Sequence, residues 1–293
     1  METTRDRDNH LIVDVVRILK TDDFPEWHKT VLKIMTETEN TISAREHLAK
    51  FTDKPIIITT LQQLAQKEGI KSLENNLGVC TETDASITVA FHPDRPETHE
   101  ATFVHELLHR MLRYENFPEI MIDEVYAETN ILPQLWLQLG YLRSKFGSVL
   151  DHPEVYRRMR QDYNLDMERY FESLLEQKVS RFSKKNAGNE QESIFSNQQD
   201  ILDGLEYFYY DADYRTQVLS CFRDNSESAY NSCLQLRTKI EKTGMHTPHS
   251  CLKSGKKIKA HIIKYGDKRN LNFLNNMWKA LEVRLVELGD GGN

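Results

Sequence analysis

The sequence lacks the features that mark several classes of protein. No apolar run approaches about 18 residues, the length that a membrane-spanning helix needs. The N-terminal residues 1–16 carry charges on both sides of a short apolar run and show no cleavable signal pattern. Glycine (12 residues) and proline (8 residues) are scarce among the 293 residues, which is typical of a helix-rich folded protein. We therefore expect no membrane span and no membrane partner.

Cysteine is also scarce. The four cysteines lie far apart in the sequence and show no C-x-x-C spacing. This pattern is expected of reduced thiols in a cytoplasmic protein, and a secreted protein with two disulfides is the alternative. We predict a cytoplasmic location.

An excess of positive charge is absent as well. There are 38 Lys and Arg against 45 Asp and Glu, so the formal net charge is −7. An acidic chain does not bind nucleic acid or anionic membranes through its overall charge. Residues 252–269 are a basic exception, which we interpret as a solvated loop and helix face, with a phosphate or acidic partner as the alternative. Nucleic acid is not an expected partner.

The residues that are present predict three regions. Residues 1–50 predict N-terminal helices, since residues 9–20 and those from 26 onward place apolar side chains at helical spacing. Residues 51–150 contain the β-branched runs of a small sheet, the first of them at 54–60, and a short helix over 61–69 that is closed by Gly69. Residues 151–293 predict a helical C-terminal lobe with an exposed loop near 183–200. The predicted fold class is α+β, predominantly α-helical.

Local signals in the middle region predict the order of its elements. The run SITVAF, residues 86–91, predicts a strand, and Asp94 and Glu97 have the spacing of a helix cap before a helix from about Thr102. Asn116 and Pro118 should end that helix. A second helix is then expected over residues 119–133.

The stretch FVHELLHRML, residues 103–112, carries a possible metal site on the first of these helices. His105 and His109 are four positions apart, so both imidazoles leave the same helical face close enough to hold one ion. Glu106 can approach a water on that ion without being a ligand, which is the chemical content of H-E-x-x-H. The alternative is a pair of core histidines bonded to backbone carbonyls. Burial without partners would cost several kcal/mol, so the metal is favoured.

A catalytic zinc site needs a third protein ligand. A third histidine at the metzincin spacing is absent, because Leu112 and Glu115 stand at the relevant positions. Carboxylates are available on the next predicted helix, where Glu124 and Glu128 share one face.

HELLH followed by IDEVYAE resembles the gluzincin metallopeptidases, in which a glutamate on a second helix completes the zinc site. The resemblance implies a zincin-type sheet beside the H-E-x-x-H helix, a zincin-like catalytic core over residues 51–150, and Zn²⁺ as the cofactor. It assigns Glu124 as the ligand, with Glu128 in contact with a ligand histidine. The alternative makes Glu128 the ligand, since eighteen residues separate it from His109 whereas fourteen separate Glu124. A weaker likeness is to the ImmA/IrrE type of metallopeptidase, through the runs SITVAF, HELLH and YAETNILP. Either resemblance covers about residues 84–135.

The expected function is hydrolysis of a peptide bond in a peptide or protein substrate, with a zinc-activated water and Glu106 as the general base. In zincins an edge strand pairs with the extended substrate, and SITVAF is a candidate for that strand, with an ordinary core strand as the alternative. A Tyr or His from a later segment should stabilise the oxyanion, and the candidates are Tyr207, Tyr209, Tyr210, His152, His246 and His249. The aromatic run LEYFYY, residues 205–210, is interpreted as core. The alternative function is a non-catalytic helical interaction or regulatory protein that retains a zincin-like fold. A nucleic-acid-associated protein that uses residues 252–269 is a weaker third idea.

Overall fold

The computed structural model describes residues 16–18, 25–69, 76–183, 190–210, 212–268 and 272–285. The chain divides into two compact units, residues 1–111 with 158–170 (unit 1) and residues 112–157 with 171–293 (unit 2). The division falls inside three helices, so each of these contributes residues to both units.

Unit 1 contains a four-stranded sheet with the order β1-β2-β4-β3. Its strands are β1 (Val16–Ile18), β2 (Ile56–Thr60), β3 (Gly78–Glu82) and β4 (Ile87–Phe91). The pairs β1–β2 and β2–β4 are parallel, and β3 runs antiparallel to β4. All five residues of β4 are buried, as expected of an inner strand.

Three helices of unit 1 precede the motif: α1 (Pro25–Glu37), α2 (Glu39–Leu48) and α3 (Leu61–Glu68). The hydroxyl of Thr60 accepts from the backbone of Gln63 and the Gln63 side chain bonds back, which forms a capping box at the start of α3. Gly69 ends α3 in the left-handed conformation, with φ of 66°. The predicted short helix closed by Gly69 is confirmed.

One expectation for unit 1 is wrong. Residues 16–18, inside the run expected to be helical, form β1, because their backbone pairs in parallel with that of β2. Residues 9–15, 19 and 20 of that run lie outside the described residues. SITVAF is a strand as predicted, but it lies between β2 and β3, so β3 and not β4 is the edge strand at this end of the described sheet.

The motif helix α4 spans His99–Tyr114 and follows a 3₁₀ turn at Pro96–Thr98. It therefore begins three residues before Thr102, and Arg95, not Asp94, precedes the turn. The helix ends where predicted, since Asn116 has a positive φ of 62° and the amide of Phe117 bonds the carbonyl of Leu112 at 2.9 Å.

The continuous helix expected over residues 119–133 is wrong. Residues Glu119–Ile122 form β5, which pairs antiparallel with β6 (Leu281–Arg284) near the far end of the chain. Only then does α5 (Glu124–Asn130) begin, with the Asp123 carboxylate accepting from the amide of Tyr126 at 3.0 Å. Pairing with a distant strand overrides the helical propensity of the local residues.

The remaining elements are helical up to β6. They are α6 (Trp136–Gln161) after a 3₁₀ turn at Pro133–Leu135, α7 (Glu168–Ser183), α8 (Glu190–Tyr207), α9 (Ala212–Asn225), α10 (Glu227–Glu241), α11 (Pro248–Asp267) and α12 (Asn272–Lys279). Residues 190–200 of the predicted exposed loop belong to α8, whereas residues 184–189 lie outside the described residues. The basic stretch forms α11, whose lysines are largely exposed, in agreement with a solvated helix face.

The fold class is confirmed as predominantly helical with a small sheet. The core of unit 2 includes Trp278 packed edge-on against Phe146, with ring centroids 5.7 Å apart. All four cysteines are free thiols, as predicted. Within the described residues, none of the helices combines the length and the hydropathy that a membrane span requires.

Candidate functional site

The candidate site begins on α4, which the apolar neighbours of the motif hold in place. Phe103, Val104, Leu107 and Leu108 are each fully buried. At the start of α4, the Nε2–H of His99 donates to the carbonyl of His92 at 2.9 Å. Burial lowers the pKa of His99, so this anchoring imidazole stays neutral. The start of α4 is therefore anchored by contacts that do not involve the histidine pair.

His105 and His109 point their imidazoles at one another. Their Nε2 atoms are 3.1 Å apart, and their ring centroids are 4.7 Å apart. The histidine pair is therefore convergent, as the spacing of four predicts. His105 is buried and its ring also packs against Tyr170, with centroids 5.5 Å apart.

Edge strand β3 contacts α4 beside Glu106. A Cβ atom placed on Gly78 would lie 2.3 Å from Cγ2 of Thr102 and 3.4 Å from Cγ of Glu106. Only glycine allows the strand to approach the helix this closely. The Arg110 guanidinium also donates to the carbonyl of Cys80 in β3, at 3.1 Å.

We expect the substitution Gly78→Ala to destabilise the protein by about 1–3 kcal/mol, because the new methyl group overlaps a stiff threonine side chain. Urea unfolding measures the free energy. Gly147→Ala in α6 is the matched control, since its Cβ meets nothing within 4 Å and a helical alanine should be neutral or stabilising. Equal stability of the two variants would contradict the close approach.

Cys80 lies near Glu106 but is not a candidate nucleophile. Burial raises the pKa of its thiol to about 12, against a smaller lowering by Arg110. The thiol is therefore protonated at neutral pH, and only a thiolate would attack a substrate.

His152 lies on α6 in a buried, acidic setting. Its Nδ1 atom is 3.3 Å from Oε1 of Glu206 on α8, which is ion-pair distance, and its ring stacks on Tyr156 with centroids 5.0 Å apart. One residue earlier, Asp151 accepts from the guanidinium of Arg113 in the last turn of α4, at 2.5 Å. This ion pair connects α6 to α4 one turn beyond His109.

The sequence offered His152 only as one of several candidate oxyanion donors, because nothing local relates it to the motif. Its setting in unit 2 gives it a second possible role. A carboxylate beside one ring nitrogen commonly orients a histidine that binds zinc through the other nitrogen, and Glu206 provides that carboxylate.

Glu124 and Glu128, the carboxylates expected to supply the third ligand, both lie on α5. Glu124 is its first residue, and both side chains are exposed. Their role as ligands stays a prediction.

The other residues considered as oxyanion donors have separate settings in unit 2. Tyr207 and Tyr210 are buried in the core, as predicted for their aromatic run. His246 is exposed and its Nδ1 lies 3.0 Å from the buried carboxylate of Glu154. Tyr170, which was not among the sequence candidates, packs against the motif histidine His105.

The chemistry available at this site is that of imidazole donors with a carboxylate beside them. Such donors suit Zn²⁺ and other borderline metals. Compared with models of protein families, with curated proteins and with solved structures, the chain gives no match.

Proposed function

We propose that this protein is a zinc-dependent peptidase in which His105 and His109 bind the metal and Glu106 is the general base. The observation that carries the proposal is the convergence of these two imidazoles on a helix that also carries the glutamate of an H-E-x-x-H motif. We propose His152 as the third ligand, because it is buried and has a carboxylate beside Nδ1. Glu124, the ligand that the gluzincin resemblance implies, is the alternative, and its side chain is exposed.

The donor set fits zinc. Two nitrogens bound tetrahedrally at about 2.0–2.1 Å lie about 3.3 Å from each other, and those of His105 and His109 are 3.1 Å apart. His152 has a carboxylate behind Nδ1, which leaves Nε2 for a metal, in the carboxylate–histidine arrangement common at zinc sites. Three protein ligands leave a fourth position for water, as in catalytic sites.

Glu106 is suited to hold and move a proton. It follows His105 on α4 and is partly exposed, so its carboxylate can reach water beside the histidine pair. The chemistry that a zinc ion supplies when bound is polarisation of a carbonyl and a lowered pKa of water. Glu106 would accept the proton of that water and return it to the leaving amine.

Strand β3 is suited to pair with an extended peptide substrate. It is an edge strand of the described sheet and lies against α4 at Glu106. Alternation of the antiparallel ladder directs the backbone groups of Gly78, Cys80 and Glu82 away from β4. A peptide that paired with this edge would lie alongside Glu106.

The proposal is tested by metal content and cleavage together. We expect elemental analysis of protein loaded with Zn²⁺ and then desalted to find close to one zinc per chain. We also expect cleavage of a mixture of random-sequence peptides, read as new termini by mass spectrometry. A chelator should stop cleavage and added Zn²⁺ should restore it. A chain that retains no zinc would contradict the site, and a zinc-loaded chain without cleavage would contradict the activity.

A further inference from the structure

A cavity of about 250 Å³ lies in unit 2 beside the last turns of α10. It is also bordered by the end of α8 and by the turn after α10. Its apolar wall includes Leu205, Phe208, Ile240 and Met245. This volume is slightly below the range of about 300–1,000 Å³ that is typical of ligand pockets, so it suits a single ring with a short chain.

Arg237 is the cation of this cavity. Its guanidinium carbon lies 4.3 Å from the centroid of the Phe208 ring, and its Nε donates to Glu241 at 2.6 Å. The stacking and the ion pair fix the plane of the guanidinium. No described residue accepts a hydrogen bond from its two Nη groups. They form a pre-oriented fork of donors at the edge of an apolar cavity.

Other polar groups at the cavity are already used within the protein. The hydroxyl of Tyr209 donates to the sulfur of Met245 at 3.3 Å. His246 is held by Glu154, whose carboxylate also takes two bonds from Arg157, at 2.7 and 2.8 Å. The two Nη groups of Arg237 are therefore the main hydrogen-bond donors that the cavity presents to a ligand.

We propose that this cavity binds a small carboxylate with an aromatic or branched apolar body. The planar fork of a guanidinium matches two carboxylate oxygens, which gives short, charge-assisted hydrogen bonds. The apolar body would be buried against Leu205, Ile240 and Met245. This site does not depend on the proposed metal centre.

The test compares 3-phenylpropionate with 3-phenylpropan-1-ol, both titrated calorimetrically into the full chain. We expect the acid to bind at least about tenfold more tightly than the alcohol, because charge-assisted bonds contribute about 1.5–3 kcal/mol. Arg237→Ala should lower the affinity for the acid by about tenfold or more and leave the affinity for the alcohol unchanged. Arg223→Ala is the matched control, since Arg223 is exposed, ion-paired with Asp224 and outside the cavity lining.

Arg237→Lys keeps the positive charge but lacks the planar pair of donors, so it should also lower the affinity for the acid. It provides a second test if the alanine variant does not fold. Circular dichroism melting checks the fold of each variant. The proposal is overturned if the wild-type chain shows no saturable binding of the acid. It is also overturned if acid and alcohol bind equally, or if folded Arg237 variants bind the acid as the Arg223 control does.

Discussion

Replacing Glu106 by Gln is expected to abolish peptide cleavage and leave zinc bound. Glutamine is nearly isosteric with glutamate, so the position of α4 and of His105 and His109 should not change. The amide cannot accept a proton from water, and loss of a general base lowers rates by about 10²- to 10⁴-fold. A loss of this size in kcat, with about one zinc per chain retained, is the result that the proposed mechanism requires.

The measurement is kcat for one peptide selected from the cleaved mixture, with zinc determined on the same preparation. Glu100→Gln is the matched control on α4, because its side-chain oxygen accepts from Asn40 at 2.9 Å and a glutamine oxygen can keep that bond. The control should retain full activity. Wild-type activity in the Glu106 variant would refute its role, and loss of zinc would mean that Glu106 supports the metal and not the proton transfer.

Replacing His152 by Ala is expected to weaken zinc binding by at least about a hundredfold. Loss of a partner behind a ligand costs about 10- to 100-fold in affinity, and loss of the ligand itself should cost more. Zinc affinity is measured by competition with a chromogenic chelator. Glu124→Ala and Glu128→Ala, compared in the same assay, should keep zinc. If either of them loses zinc and His152→Ala keeps it, the carboxylate register expected from the gluzincin resemblance is correct and His152 is not the ligand.

A structural role of His152 is separated from metal binding by a second variant. His152→Cys supplies a thiolate, so Co²⁺-loaded protein should gain a thiolate-to-metal charge-transfer band that the wild type lacks. Glu206→Gln should lower the zinc affinity by about 10- to 100-fold, because the Glu206 carboxylate lies beside Nδ1 of His152 and would orient its ring. His249→Ala removes an exposed histidine and should change nothing. A folded His152→Cys variant that binds Co²⁺ without that band would refute the third ligand.

The sequence alone determined the elements whose signals are local. The β-branched runs at residues 56–60 and 87–91 predicted two strands, and Gly69 and Asn116 marked helix ends, because each signal depends on conformations available to one or two residues. The spacing of His105 and His109 likewise follows from helix geometry, so their convergence needed no tertiary information.

The tertiary structure alone decided the features that depend on partners far along the chain. Residues 119–122 have a helical pattern but form a strand, because β6 supplies the backbone partners more than 150 residues later. Residues 16–18 form a strand for the same reason, next to β2. The setting of His152 is of this kind too, since the Glu206 carboxylate beside its Nδ1 comes from α8, far along the chain. A local pattern specifies the conformation of a segment and the face on which a side chain lies, but the partner across that face is set by packing of the whole chain.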